Sequence, residues 1–94
     1  MPASAVDQAS LAAGRKKAQA CAPCHGLNGV STNPDAPNLA GDNATYIIRQ
    51  LKAFKSRARE SEQMSIMVDT LTEEDMVNLA TWYSSLIVSV QLPP

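Results

Sequence analysis

Cys21-Ala22-Pro23-Cys24-His25 contains both cysteines and the only histidine of the 94-residue chain. Two thiols three positions apart, followed directly by an imidazole, form the attachment pattern of a c-type haem. The chemistry explains the spacing, because the two thiols reach the two vinyl groups on one edge of the macrocycle and the imidazole is then delivered to the iron. Residues 21–25 therefore predict one covalent haem c, with Cys21 and Cys24 as attachment points and His25 as an iron ligand.

Other uses of these three side chains fit the sequence less well. A structural zinc site requires four ligands, typically from two separated pairs, and the chain offers one pair and one histidine. A thioredoxin-like dithiol is expected beside a strand-helix-strand pattern, which is missing from the sequence. A disulfide between Cys21 and Cys24 would close a very small loop with little gain in stability. Covalent haem is the preferred interpretation.

The composition agrees with a cofactor that completes the core. Hydrophobic residues make up 45% of the chain, yet the aromatic residues are only one Trp, two Tyr and one Phe. A domain of this size is marginally stable without a covalent staple or a cofactor.

A net charge of −1 gives no general argument for nucleic acid or an anionic membrane as partner. No apolar run approaches the roughly 18 residues that a membrane span requires.

The charges are distributed unevenly along the chain. All eight basic residues lie before position 60, and six of the nine acids lie from Glu60 onward. Such a distribution predicts a charge dipole that could orient a partner during a diffusional encounter. The alternative interpretation is that these charges only solvate helix surfaces.

Three helices are predicted within a single domain over residues 1–94. Their ranges are 7–20, 44–57 and 72–87. Residues 26–41 are rich in glycine, proline and asparagine, and so predict a long loop, which in a compact domain usually binds or covers something. Residues 61–71 read as a second irregular stretch, and no strand is predicted. Side chains suited to helix capping precede or open the three helices: Asp7, Asp42 or Asn43, and Thr72 with Asp75.

Beyond the attachment motif, the chain resembles a small bacterial class I cytochrome c, and within that class the cytochrome c4 type of haem domain. The resemblance implies an all-α, class I cytochrome c fold, with three main helices and long loops wrapped around one haem c. Besides residues 21–25, it is based on Gly14, Ala36-Pro37-Asn38-Leu39-Ala40-Gly41, Tyr46-Ile47-Ile48-Arg49-Gln50-Leu51, Met64-Ser65-Ile66-Met67, Leu71-Thr72-Glu73-Glu74-Asp75 and Leu79-Ala80-Thr81-Trp82-Tyr83.

The iron ligands are expected on both sides of the haem. The resemblance implies that His25 is the proximal ligand and that its other ring N–H donates to the carbonyl of Pro37. With no second histidine, a methionine sulfur is the natural sixth ligand. Met1 is terminal and Met76 lies on an apolar helix stripe, which leaves two candidates, Met64 and Met67. In the family the ligand precedes the Leu-Ser/Thr-acid start of the last helix by seven residues, which favours Met64.

The resemblance also assigns roles to residues outside the iron ligands. A glycine inside a helix lowers helix stability by about 1 kcal/mol relative to alanine, so a structural role is expected for Gly14. In the family the first and last helices cross there, with an aromatic residue, here Trp82, against the glycine. Tyr46 and Arg49 are candidates to hydrogen-bond a haem propionate, because a partly buried carboxylate needs a donor or a cation.

These observations predict an electron-transfer protein rather than an enzyme. The expected function is that of a periplasmic one-electron carrier with a His/Met-ligated haem c, which shuttles electrons between redox partner proteins as a monomer or weak dimer. Haem is attached outside the cytoplasm in bacteria of this type, so export is expected, with the secretion signal absent from this chain. The alternatives are a haem subunit of a dehydrogenase or reductase complex and a five-coordinate haem peroxidase or gas-binding protein.

Overall fold

The computed structural model describes residues 7–94; residues 1–6, among them Met1, lie outside the described residues. The described residues form helices and loops without a strand, which confirms the predicted all-α class. None of these helices has the length and apolar character needed to cross a membrane. In chain order the elements are α1 (Gln8–Lys17), a 3-10 turn (Ala18–Ala20), α2 (Ala22–His25), α3 (Ala44–Ser56), α4 (Glu62–Met67), a second 3-10 turn (Val68–Thr70) and α5 (Glu73–Ser85).

The three long helices begin at side chains that cap their first turn. The Asp7 carboxylate accepts from the backbone of α1 at 2.9 Å, and the Asn43 side chain accepts from that of α3 at 3.1 Å. At α5, the Thr72 hydroxyl accepts from the Asp75 N–H and the Asp75 carboxylate accepts from the Thr72 N–H, each at 3.0 Å. These bonds satisfy backbone donors that a helix start leaves without an intrahelical partner.

Two stretches depart from the sequence prediction. The expectation of irregular structure over residues 61–71 is wrong, because these residues form α4 and the second 3-10 turn. The Ser61 hydroxyl caps α4, but a helix of six residues is too short to show a period in the sequence. Regular structure also continues past Cys21, since Pro23 stands in the first turn of α2, where proline is tolerated.

Helices α1 and α5 cross at Gly14, as the resemblance implies. A Cβ atom at this glycine would lie 1.9 Å from the carbonyl oxygen of Asn78 and 3.0 Å from the Cβ of Trp82. One turn earlier, the Ser10 hydroxyl bonds to the side-chain oxygen of Asn78 at 2.6 Å. The backbones of α1 and α5 are therefore in direct contact at the crossing, and any side chain at position 14 would push the two helices apart.

The core lies between α3, α5 and the turn that follows α4. The apolar faces of α3 and α5 pack together, and Val68 of the second 3-10 turn is completely buried between them and their neighbours. This packing fixes the segment before α5, which carries Met64, relative to the rest of the chain. The buried apolar residues are Ala18, Ile47, Leu51, Phe54, Val68, Met76, Leu79, Ala80 and Tyr83.

Folding brings some of the charges that are separated in the sequence into ion pairs. Three bases from the first part of the chain pair with acids from the second part, so opposite charges from the two parts lie side by side. The three pairs are partly to mostly exposed, and such ion pairs contribute little to stability. The pairs are Lys17–Asp75 at 3.5 Å, Lys52–Glu73 at 2.7 Å and Arg57–Asp69 at 3.0 Å.

Candidate haem site

The attachment motif lies on a single helical turn. The His25 N–H donates to the Cys21 carbonyl at 2.9 Å, as in a helix. Residues at positions i, i+3 and i+4 share one helix face, so this turn places Cys21, Cys24 and His25 on the same side. The spacing of the motif thus has a local structural cause, since it presents the two sulfurs and the imidazole together.

His25 is held in one orientation by Pro37. The ring is buried, and its Nδ1 lies 2.8 Å from the Pro37 carbonyl oxygen. Because a carbonyl only accepts, Nδ1 must carry a proton, and in the neutral ring the Nε2 lone pair is then available to a metal. Metal-bound histidines almost always donate their other ring N–H to a carboxylate, a backbone carbonyl or water, which fixes the ring and raises its basicity.

The two cysteines are free thiols in different surroundings. Cys24 is exposed, whereas Cys21 is half-buried and packs against the core. Burial raises the pKa of the Cys21 thiol, and a hydrogen bond with the Tyr83 side chain partly opposes that shift. Neither sulfur is used in a disulfide, so both are available for thioether bonds.

The loop after the motif folds back to bring Pro37 to His25. Gly26 has a φ of 87°, and a Cβ atom there would lie 2.0 Å from the Val30 carbonyl oxygen. An L side chain would be strained in this conformation and would have no space. Further along, the Leu39 N–H donates to the Gly29 carbonyl at 2.8 Å, which closes the loop.

The two candidate methionines lie on α4 but differ in environment. Met64 is half-buried and packs against the core. Met67 is 39% exposed and its neighbour Ile66 is 67% exposed, so this end of α4 projects outward. Although Met64 and Met67 are only three residues apart, their side chains therefore have different surroundings.

Tyr46 and Arg49 lie one turn apart on α3, and both are exposed. Tyr46 retains half of its accessible surface, and neither side chain has a hydrogen bond or ion pair within residues 7–94. The structure places a phenol and a guanidinium near one another on this helix. It does not connect them to the attachment turn through any polar contact of the described residues.

The residues present fit a covalent haem c. Two free thiols, an imidazole with an available Nε2 and a half-buried thioether form the nitrogen and sulfur donor set that haem attachment and His/Met ligation use. Large apolar side chains also remain exposed in and after the turn that follows the motif, with Leu27 81% and Val30 57% accessible. A bound macrocycle would provide an apolar surface for these exposed side chains to pack against.

Sequence reasoning missed the roles of Tyr83 and Arg57. In the sequence, Tyr83 stands out only as the last residue of the Leu79–Tyr83 stretch, next to Trp82, but it is 2% exposed and its side chain interacts with Cys21. Its backbone carbonyl also accepts from the Gly41 N–H at 2.8 Å, which ties the long loop to α5. Arg57 reads as one more surface base, yet it bonds to the segment that carries Met64. No local pattern in the sequence marks either contact.

Comparison with known proteins places the chain in a family. The family model described as cytochrome c matches residues 11–86. Cytochrome c-554(548) of Halomonas halodenitrificans is 38% identical over 77 residues, which cover 79% of this chain and 93% of that protein. The thiosulfate dehydrogenase electron acceptor of Thiomonas intermedia is 41% identical over 80 residues, 83% of this chain and 36% of that protein.

A solved structure gives the same result. Acidithiobacillus ferrooxidans cytochrome c4 superposes with a TM-score of 0.80 at 30% identity, over 92% of this chain and 55% of that one. The chain spans 38% to 40% of the length of the curated cytochrome c4 relatives. The cytochrome c family binds covalent haem c, and the relatives named as cytochromes are electron-transfer proteins. The chain belongs to the cytochrome c family and is a class I cytochrome c of the c4 type.

Proposed function

We propose that the chain is a periplasmic one-electron carrier whose haem c is attached through Cys21 and Cys24 and ligated by His25 and Met64. The single observation that carries this proposal is the buried His25 ring with its Nδ1 2.8 Å from the Pro37 carbonyl oxygen. An ordinary surface histidine has no need of such a restraint, whereas an iron ligand requires one.

When bound, haem supplies an iron centre that gains and loses one electron. The helical turn of α2 holds the two sulfurs and the imidazole on one side, which fixes the edge of attachment. The Pro37 carbonyl keeps the proton on Nδ1 of His25, so Nε2 remains the donor atom. Because these restraints belong to the fold, they would hold Cys21, Cys24 and His25 in the same positions in either oxidation state of a bound haem.

Met64 is the proposed sixth ligand, and its environment supports that assignment over Met67. Its side chain packs against the core, while Met67 and Ile66 face outward. A sulfur ligand opposite an imidazole raises the reduction potential of haem iron. With His25 and Met64 both bound, no coordination position would be left for a substrate, which favours electron exchange over chemistry at the metal.

Tyr46 and Arg49 are proposed to contact a haem propionate. Both are exposed on α3, one turn apart, and so can approach a carboxylate together. A cation and a phenolic donor would lower the cost of burying part of that carboxylate.

The proposed partners are redox proteins that dock weakly and briefly through a small contact area. A second candidate function is that of a haem subunit that accepts electrons from a dehydrogenase. The likeness to a protein named as a thiosulfate dehydrogenase electron acceptor favours it. Co-purification with a larger catalytic protein separates this candidate from a freely diffusing carrier.

The spectrum of the haem-loaded protein tests the proposal. The oxidised protein is expected to show the weak far-red sulfur-to-iron band, and the reduced protein is expected to bind carbon monoxide poorly. Met64→Ala should remove the band, whereas the matched control Met67→Ala should retain it. Rapid carbon monoxide binding by the unmodified protein, or a band that survives Met64→Ala, would contradict the ligand assignment.

A further inference from the structure

Arg57 has an unusual backbone conformation at the end of α3. Its φ is 65°, and it is the one non-glycine residue with a positive φ in residues 7–94. Glycine or asparagine normally stands where a helix ends in the left-handed region, because other side chains are strained there. An arginine at this place indicates that its side chain makes contacts that compensate for the strain.

The Arg57 guanidinium joins the end of α3 to α4 and to the turn that follows it. Nη1 donates to the Phe54 carbonyl at 3.2 Å and to the Ser65 carbonyl at 2.8 Å. Nη2 donates to the Asp69 carboxylate at 3.0 Å. Ser65 follows Met64 directly, so this side chain restrains the backbone next to the proposed ligand.

Helix α4 has few other attachments. It is six residues long and none of its residues is fully buried. A helix this short is unstable by itself in water, so contacts with the rest of the chain must maintain it. Apart from Arg57, these contacts are the packing of Met64 against the core, the Ser61 cap, at 3.4 Å from the Met64 N–H, and the buried Val68 beyond the end of α4.

We propose that Arg57 is a positioning residue for Met64, which it keeps in place by fixing the backbone of α4 to the end of α3. This inference depends on the proposed function, because it assumes that Met64 is an iron ligand. The ion pair with Asp69 is half-exposed and adds little. The bonds from a charged guanidinium to two carbonyls carry the restraint, since charge-assisted bonds are stronger than neutral ones.

The test compares haem-loaded variants in their affinity for imidazole, which competes with Met64 for oxidised iron. Arg57→Gly removes the guanidinium and introduces a residue that adopts the left-handed backbone conformation without strain. Arg57→Lys retains the charge without the planar fork. Arg59→Ala is the matched control, because Arg59 is a nearby base whose guanidinium bonds to Gln50 and lies over Phe54 rather than contacting α4.

Imidazole is added until the far-red band is lost. Arg57→Gly is expected to bind imidazole about tenfold more tightly, since a hydrogen bond to a charged group contributes on the order of 1.5 kcal/mol. Arg57→Lys should lie between this variant and the unmodified protein. Arg59→Ala should remain within about twofold of the unmodified protein, as expected for an exposed charge.

Two results would overturn the inference in distinguishable ways. If Arg57→Gly lowers the unfolding midpoint but binds imidazole as Arg59→Ala does, Arg57 stabilises the fold without positioning Met64. In that case the ligand assignment is unaffected. If the unmodified protein lacks the far-red band, Met64 is not a ligand, and both the proposed function and the inference fail.

Discussion

Replacement of Gly14 by alanine is expected to destabilise the protein, although alanine is the better helix former. The new Cβ would lie 1.9 Å from the Asn78 carbonyl oxygen and 2.6 Å from its carbon. Ordinary contact needs roughly 3.5 Å, so α1 and α5 must separate by more than about 1 Å. Both obstacles are backbone atoms, which cannot rotate away.

The expected loss in the free energy of unfolding is the difference between two opposing effects. Overpacking costs up to about 3 kcal/mol, and the helix propensity of alanine returns about 1 kcal/mol. The net destabilisation is therefore about 2 kcal/mol, which for a domain of this size lowers Tm by roughly 8–16 °C. Separation of the helices would also stretch the 2.6 Å bond between Ser10 and Asn78.

Thermal unfolding of the haem-loaded protein, followed by circular dichroism, measures this loss. Ala13→Gly is the matched control, because Ala13 is an exposed neighbour on α1 and should lose only about 1 kcal/mol of helix propensity. A Gly14→Ala protein as stable as the unmodified one, or more stable, would show that the helices do not cross at this distance.

Three further predictions concern the cap of α5, the buried tyrosine and the loop after the motif. Thr72→Ala should lower the free energy of unfolding by about 1 kcal/mol in a urea titration, because the first turn of α5 loses its cap, while the far-red band is unchanged. Burial raises the pKa of Tyr83, so the folded protein keeps this phenol protonated and loses stability as pH rises above the ordinary tyrosine pKa of about 10. Urea midpoints at neutral and alkaline pH should therefore fall less for Tyr83→Phe than for the unmodified protein, and equal falls would contradict this assignment. Gly26→Ala should cost about 2–4 kcal/mol, because φ is 87° and Val30 occupies the space, and it should reduce the yield of haem-loaded protein.

The elements that local chemistry specifies could be predicted from the sequence. The attachment motif needs only spacing, the three long helices carry their own caps, and α3 and α5 also carry apolar faces. The bond between His25 and Pro37 was expected from the family resemblance, and the structure has it at 2.8 Å. The roles of the predicted haem and iron ligands stay predictions until the spectra are measured.

The parts that sequence reasoning missed depend on contacts between distant residues. Helix α4 is too short for a periodic pattern and is maintained partly by Arg57, eight residues before Ser65. The left-handed conformation of Arg57 has no sequence signal, because glycine or asparagine is the residue normally expected there. The predicted charge dipole stays a prediction, but bases of the first part pair with acids of the second part, such as Lys52 with Glu73, which the linear order of charges does not reveal.

The crossing of α1 and α5 has a consequence for how the chain folds. Ser10 and Asn78, which bond across it, are 68 positions apart in sequence. Closing a loop of this length loses chain entropy before any stabilising contact forms. Native structure around the N-terminal helix should therefore wait for the C-terminal helix, and a nascent chain released before Asn78 should remain a substrate for proteases.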